Sequence, residues 1–87
     1  MDPIIMERTS AWAILGYIQE HPGATISSIA GAGDARNKTR EARVRDLTAE
    51  GILRTEPGSY RNRPTIRYYL TPRGEILATI LDMLVKI

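Results

Sequence analysis

Ten of the twelve Lys and Arg residues of this 87-residue chain lie between Arg36 and Arg73, against four acids, so the middle carries a net +6 and the two ends together −4. A cationic middle between anionic ends is the charge distribution of a surface that meets a polyanion. Ten of the twelve cations are arginine. Arginine's planar fork suits bidentate contact with phosphate and guanine, where lysine offers a point charge. Other chemistry lacks its reagents. There is no cysteine and a single histidine, His21, which leaves no disulfide, no thiolate ligand, no multi-histidine metal site and no nucleophile–base–acid set. The expectation is a protein that is not an enzyme and uses no cofactor or metal.

The elements that must position these cations follow from length and periodicity. At 87 residues and 43% hydrophobic the chain reads as one soluble domain, 1–87, with little room for a deep catalytic pocket. Its longest apolar stretch, Ile76 to Ile87, is broken by Thr79, Asp82 and Lys86 and cannot span a bilayer. The start, MDPIIMERTS, has no basic region leading into an apolar run, so a cytoplasmic location is expected. Trp12, Ile14, Leu15 and Ile18 predict a helix over Ser10–Glu20, ended by Pro22-Gly23 and either extended back to an Asp2-Pro3 cap or preceded by a separate turn. Thr25 caps a short helix stopped by Gly31 and Gly33, with Ala24–Ile26 slightly extended. Asp34 is the expected cap of a third helix with Ala35, Thr39, Ala42, Val44 and Leu47 inward and Arg36, Lys38, Glu41, Arg45 and either Arg40 or Arg43 outward. Gly51 ends it. ILRTE and TIRYYL read as strands joined by PGSYRNRP, a hairpin with a long basic tip, and Thr71-Pro72 caps a last helix through Ile87.

A short helix, a Gly-containing turn and a basic helix make a helix-turn-helix, and the hairpin that follows is a wing. With VRDLTAEGIL, carrying Val44, Leu47, Gly51, Ile52 and Leu53, and YYLTPRGEIL, carrying Tyr69, Leu70, Thr71, Pro72 and Gly74, the sequence resembles the winged-helix transcription regulators of the MarR, PadR and ArsR families over Ser10 to Leu81. The resemblance implies an α+β, mainly helical fold with a three-helix core and a two-stranded wing over 10–71 and a C-terminal dimerisation helix over 72–87. It also implies a homodimer that binds double-stranded DNA, with helix three in the major groove and the wing on the minor groove or flanking phosphates. One position departs from the pattern. Where these families carry an aliphatic residue this chain has Arg40, so either helix three is rotated or Arg40 snorkels.

On this reading the recognition helix offers Arg36, Asn37, Lys38, Thr39, Arg40, Glu41, Arg43 and Arg45, and the wing Tyr60, Arg61, Asn62, Arg63 and Arg67. The competing reading is a solvated helix face tied by pairs such as Glu41 with Arg45 and a charged loop kept soluble. Tyr68 and Tyr69 are expected to pack. Trp12 is read as core or dimer contact, with a ligand pocket as the lesser reading, and His21 as a cation at a helix end. Ile76, Leu77, Ile80, Leu81, Leu84, Val85 and Ile87 are too many for an 87-residue monomer to bury, so with Trp12 they are the expected dimer interface. Two other functions compete: a winged helix used as a protein-interaction module that docks through its last helix, and an RNA-binding winged helix.

Overall fold

The computed structural model describes residues 3–31 and 36–85, with side chains described over 11–31 and 36–84. In chain order the elements are α1 (Pro3–Glu20), α2 (Ile26–Ala30), α3 (Lys38–Ala49), β1 (Leu53–Tyr60), β2 (Arg63–Leu70) and α4 (Pro72–Val85). The first helix runs unbroken from Pro3, the longer of the two expectations; Asp2 lies outside the described residues. Ile14, Leu15 and Ile18 of α1 are sealed from solvent and meet Ile29, Val44, Leu47, Ile52, Leu53 and Ala78 in a single core. Burying each such Leu or Ile side chain contributes about 1.5–3 kcal/mol.

At five residues, α2 is too short to hold itself. Thr25 and Ser28 close it with a reciprocal capping box, the Ser28 N–H donating to Thr25 Oγ1 at 3.3 Å and the Thr25 N–H to Ser28 Oγ at 3.1 Å. Ala24 before it forms only an isolated bridge to Tyr68. The third helix begins later than expected. Asn37, not Asp34, is its cap: Asn37 Oδ1 accepts from the Arg40 N–H at 3.0 Å. The Asn37 N–H is tied back to the Ala30 carbonyl at 2.7 Å, so the chain is still turning at residue 37 and helical geometry starts beyond it. Gly31 carries φ +87°, and the end of α3 is a Schellman turn. Gly51 at φ +77° donates to the Thr48 carbonyl and Ile52 to the Leu47 carbonyl, and the Leu47 and Ile52 side chains meet in the core below.

The hairpin corrects the sequence reading. There is no long tip: β1 and β2 pair from Leu53↔Leu70 to Tyr60↔Arg63, leaving a two-residue turn in which Arg61 and Asn62 have φ of 51° and 63°, as a type I′ turn requires. Pro57 and Pro64 do not break the strands because of where their missing N–H groups fall. Tyr68 directs its backbone away from β1, donating to the Ala24 carbonyl at 2.9 Å and accepting from the Gly23 N–H at 3.0 Å. Alternate residues share that orientation, so Pro64, and Pro57 opposite Ile66, face outward where no ladder bond is lost.

The wing base is locked to α4. Thr71 Oγ1 donates toward the Gly51 and Ile52 carbonyls (2.7 and 3.1 Å) and accepts from the Gly74 N–H at 3.0 Å. The Thr71 N–H donates to the Ile52 carbonyl at 3.1 Å. Gly74 is buried so tightly against this junction that a Cβ there would stand 2.1 Å from the Ile52 carbonyl oxygen. Gly74→Ala must therefore push α4 off the wing base. We expect a loss of about 1–3 kcal/mol or more, read as a lowered midpoint in chemical denaturation; an unchanged midpoint would mean that α4 does not sit this close.

Candidate nucleic-acid interface

The exposed side of α3 is set by what its other side must bury. Val44 and Leu47 are in the core, and one turn earlier the inward positions fall to Arg40 and Arg43, both half-buried. Thr39 and Ala42, expected to face in, are exposed. The physical reason is reach: at helical spacing 40, 43, 44 and 47 share a face, and arginine stems supply apolar volume that alanine and threonine lack. Arg40 is thus the snorkelling case. Its Nε is buried with no hydrogen-bond partner among the described residues.

Outward, Lys38, Ala42, Arg45 and Ala49 form one exposed stripe at i, i+4, i+7 and i+11. Glu41 holds the charge in place, since its carboxylate meets Arg45 Nη2 at 3.2 Å and Arg36 Nε at 3.6 Å, while Arg36 Nε also donates to the Gly31 carbonyl at 3.3 Å. Arg43 pairs with Asp46 at 3.4 Å. These are the pairs of the solvated-face reading, each worth little in water. Lys38 and Arg63 form no ion pair among the described residues, and both are exposed. At the wing tip, the Arg61 guanidinium stands 5.3 Å from the centre of the Tyr60 ring. Tyr60 is exposed, whereas Tyr68 packs on the core and Tyr69 lies under Arg54 at 4.5 Å.

Between the wing and the helix-turn-helix lies a cleft of about 610 Å³ whose walls include Ser27 and Ser28 on one side and Tyr60, Thr65 and Arg67 on the other. Arg67 differs from the rest of the wing set. Its guanidinium is turned back onto the protein, donating to the Gly23 carbonyl at 3.0 Å and the Ser59 carbonyl at 3.1 Å. His21, beyond the end of α1, sets its ring against Tyr17 at 4.7 Å.

On α4, Leu77 and Leu81 pack against the core, while Ile76, Ile80 and Leu84 remain exposed at 63, 49 and 54%. Met83, absent from the sequence expectation, joins them at 62%; its position seven residues after Ile76 and three after Ile80 is the signal that places it on that face. Ile87 lies outside the described residues, as do the side chain of Val85 and the structure of Asp34 and Ala35. Trp12 is half-buried and lines a small cavity of about 160 Å³ with Leu81 and Ala78. Among the described residues no helix is long and apolar enough to cross a membrane, and no three His, Cys, Asp or Glu residues cluster.

Three helices, a helix-turn-helix turn, a two-stranded wing and a following helix define a winged helix, an α+β fold that is mainly helical. The chain is similar to a MarR family transcription regulator of known crystal structure, with a TM-score of 0.68 and 26% identity, over 88% of this chain and 52% of that one. It spans about half the length of that structure. No protein-family model and no curated protein matches the sequence. The likeness agrees with the resemblance carried by VRDLTAEGIL and YYLTPRGEIL.

Arg40→Met keeps the buried stem and removes the unpartnered donor, and is expected to raise stability by about 1 kcal/mol, seen as a higher melting temperature. A fall would mean that the guanidinium makes a bond of its own.

Proposed function

We propose that the chain is a transcription regulator that binds double-stranded DNA as a homodimer. The observation that carries this is the exposed stripe of α3, where Lys38 and Arg45 flank Ala42: two cations for phosphates or guanine edges around a side chain small enough to let the helix approach the floor of a major groove. Asn37 and Thr39 stand beside the stripe at the N-terminal end of the helix, the end that reaches base edges in helix-turn-helix proteins. Tyr60, Arg61, Asn62 and Arg63 on the turn would grip flanking phosphates or the minor groove. Arg36, Glu41 and Arg43 are assigned to shaping this surface because their side chains are largely covered, whereas Arg45, although it shares Glu41, keeps 71% of its side chain exposed. The structural neighbour's description as a transcription regulator supports the same reading.

A second copy is the proposed cover for α4. Ile76, Ile80, Met83 and Leu84 present apolar surface on one helix, at the end of the chain away from the cationic stretch, and a symmetric contact would bury it twice over. Two recognition helices would then stand about 34–36 Å apart, one turn of duplex. A protein-interaction module docking through the same helix is the second reading, favoured by the same exposed side chains.

Fluorescence anisotropy with a mixed-sequence duplex tests the first reading, with log affinity expected to fall with log salt by about 0.9 per phosphate engaged. Lys38→Ala combined with Arg45→Ala should flatten that dependence and weaken binding at least tenfold, roughly the loss of two charge contacts. Absence of duplex binding at low salt would sink the reading. Separately, Ile80→Asp should halve the mass seen by sedimentation, because burying a carboxylate in an apolar contact is prohibitive; a wild-type monomer at all concentrations would exclude the dimer.

A further inference from the structure

We infer that Arg67 is a positioning residue that sets the pose of the wing against the helix-turn-helix, not a contact to the nucleic acid. The inference rests on the DNA-binding reading above and concerns a different link in it. Arg67 sits on β2 opposite Glu56, half-buried. One guanidinium nitrogen, Nη1, donates to the carbonyl of Gly23, in the turn between α1 and α2. The other, Nη2, donates to the carbonyl of Ser59, two residues before the wing tip. One side chain thus ties the outer half of the wing to the turn that launches the helix-turn-helix, residues separated by 44 and 8 positions in sequence.

Two further features fit the clamp. The stem of Arg67 crosses β1 over Gly58, where a Cβ would stand 2.8 Å from Arg67 Nε and 2.9 Å from Cδ, so only glycine leaves the path open. Gly23, which receives the Nη1 bond, has φ +84° and is itself bonded through its N–H to the Tyr68 carbonyl. The strand ladder pairs the two strands with each other out to Tyr60 and Arg63, but it does not by itself tie the outer half of the ribbon to the helices. A fork with two donors in fixed geometry can span two carbonyls; a lysine ammonium, reaching from one point, cannot hold both in the same way. Holding Arg61 and Arg63 at a set distance from α3 reduces the freedom lost when both engage one duplex.

The test compares Arg67→Ala, Arg67→Lys and Arg63→Ala by anisotropy over a range of salt, together with amide hydrogen exchange of the free protein. For Arg67→Ala we expect affinity to fall about three- to tenfold, the cost of re-immobilising the wing, with the salt slope unchanged and faster exchange at Gly23 and Tyr68. Arg67→Lys should resemble Arg67→Ala, because charge without the fork does not rebuild the clamp. Arg63→Ala should reduce the slope by about 0.9 and leave exchange unaltered. A slope reduced in Arg67→Ala and restored in Arg67→Lys, with exchange unchanged, would overturn the inference and make Arg67 a phosphate contact. If the wild type binds no duplex, the DNA reading fails on its own account; hydrogen exchange then decides the clamp, faster exchange supporting it and unchanged exchange overturning it.

Discussion

The carbonyl of Ile52 is the point on which the rest of the molecule depends. It lies just beyond the Schellman turn that ends α3, it accepts from the Thr71 backbone and hydroxyl, and the first turn of α4 is laid over it through a residue with no side chain, Gly74. One peptide group therefore fixes three relations at once: where the third helix stops, where the wing starts, and how the last helix leaves the second strand. Thr71 Oγ1 serves both sides of the junction, donating to carbonyls of one segment while capping the helix of the other. A buried junction of backbone groups is stable only if each is paired, and here Thr71 supplies the pairing through its backbone N–H and its hydroxyl together.

The sequence made this junction legible because its parts are residue types with narrow uses. Gly51 announces a positive φ, and Thr-Pro announces a capped helix start. The core positions of α1 and the end of α3 followed from periodicity. What periodicity hid was the first half of α3, where the inward side is filled by arginine. A scale that counts arginine as polar rotates the helix by its own logic and sends Thr39 and Ala42 to the wrong side; the stems of Arg40 and Arg43 do the packing that the sequence assigns to smaller residues. The same bias lengthened the wing tip. Pro57 and Gly58 look like turn formers, yet parity along the ribbon places the proline outward and Arg67 fills the space over the glycine.

The arginines of this chain divide by what holds them. Arg36 and Arg45 share Glu41, Arg43 has Asp46, Arg54 rests on Tyr69, and Arg67 is turned inward onto carbonyls. Net charge alone does not measure what is on offer to a polyanion. On the proposed function, Lys38, Arg63 and Arg61 meet a partner with the least rearrangement, while Glu41 holds Arg45 on α3 and Arg36 in the segment just before it. A carboxylate in that place orders the two cations beside it, and on the same proposal it would oppose a phosphate that does not displace it.

The outward prolines of the wing bear on how the molecule behaves among its own kind. A two-stranded ribbon has two open edges, each able to recruit a further strand and so to seed sheet growth between copies. Pro57 removes a donor from the middle of one edge, while on the other Tyr68 is already occupied by the Gly23–Ala24 segment and Pro64 offers no N–H near the tip. Neither edge presents an uninterrupted row of hydrogen-bonding groups. An arm that reaches into solvent thereby offers another copy a poor template for strand addition.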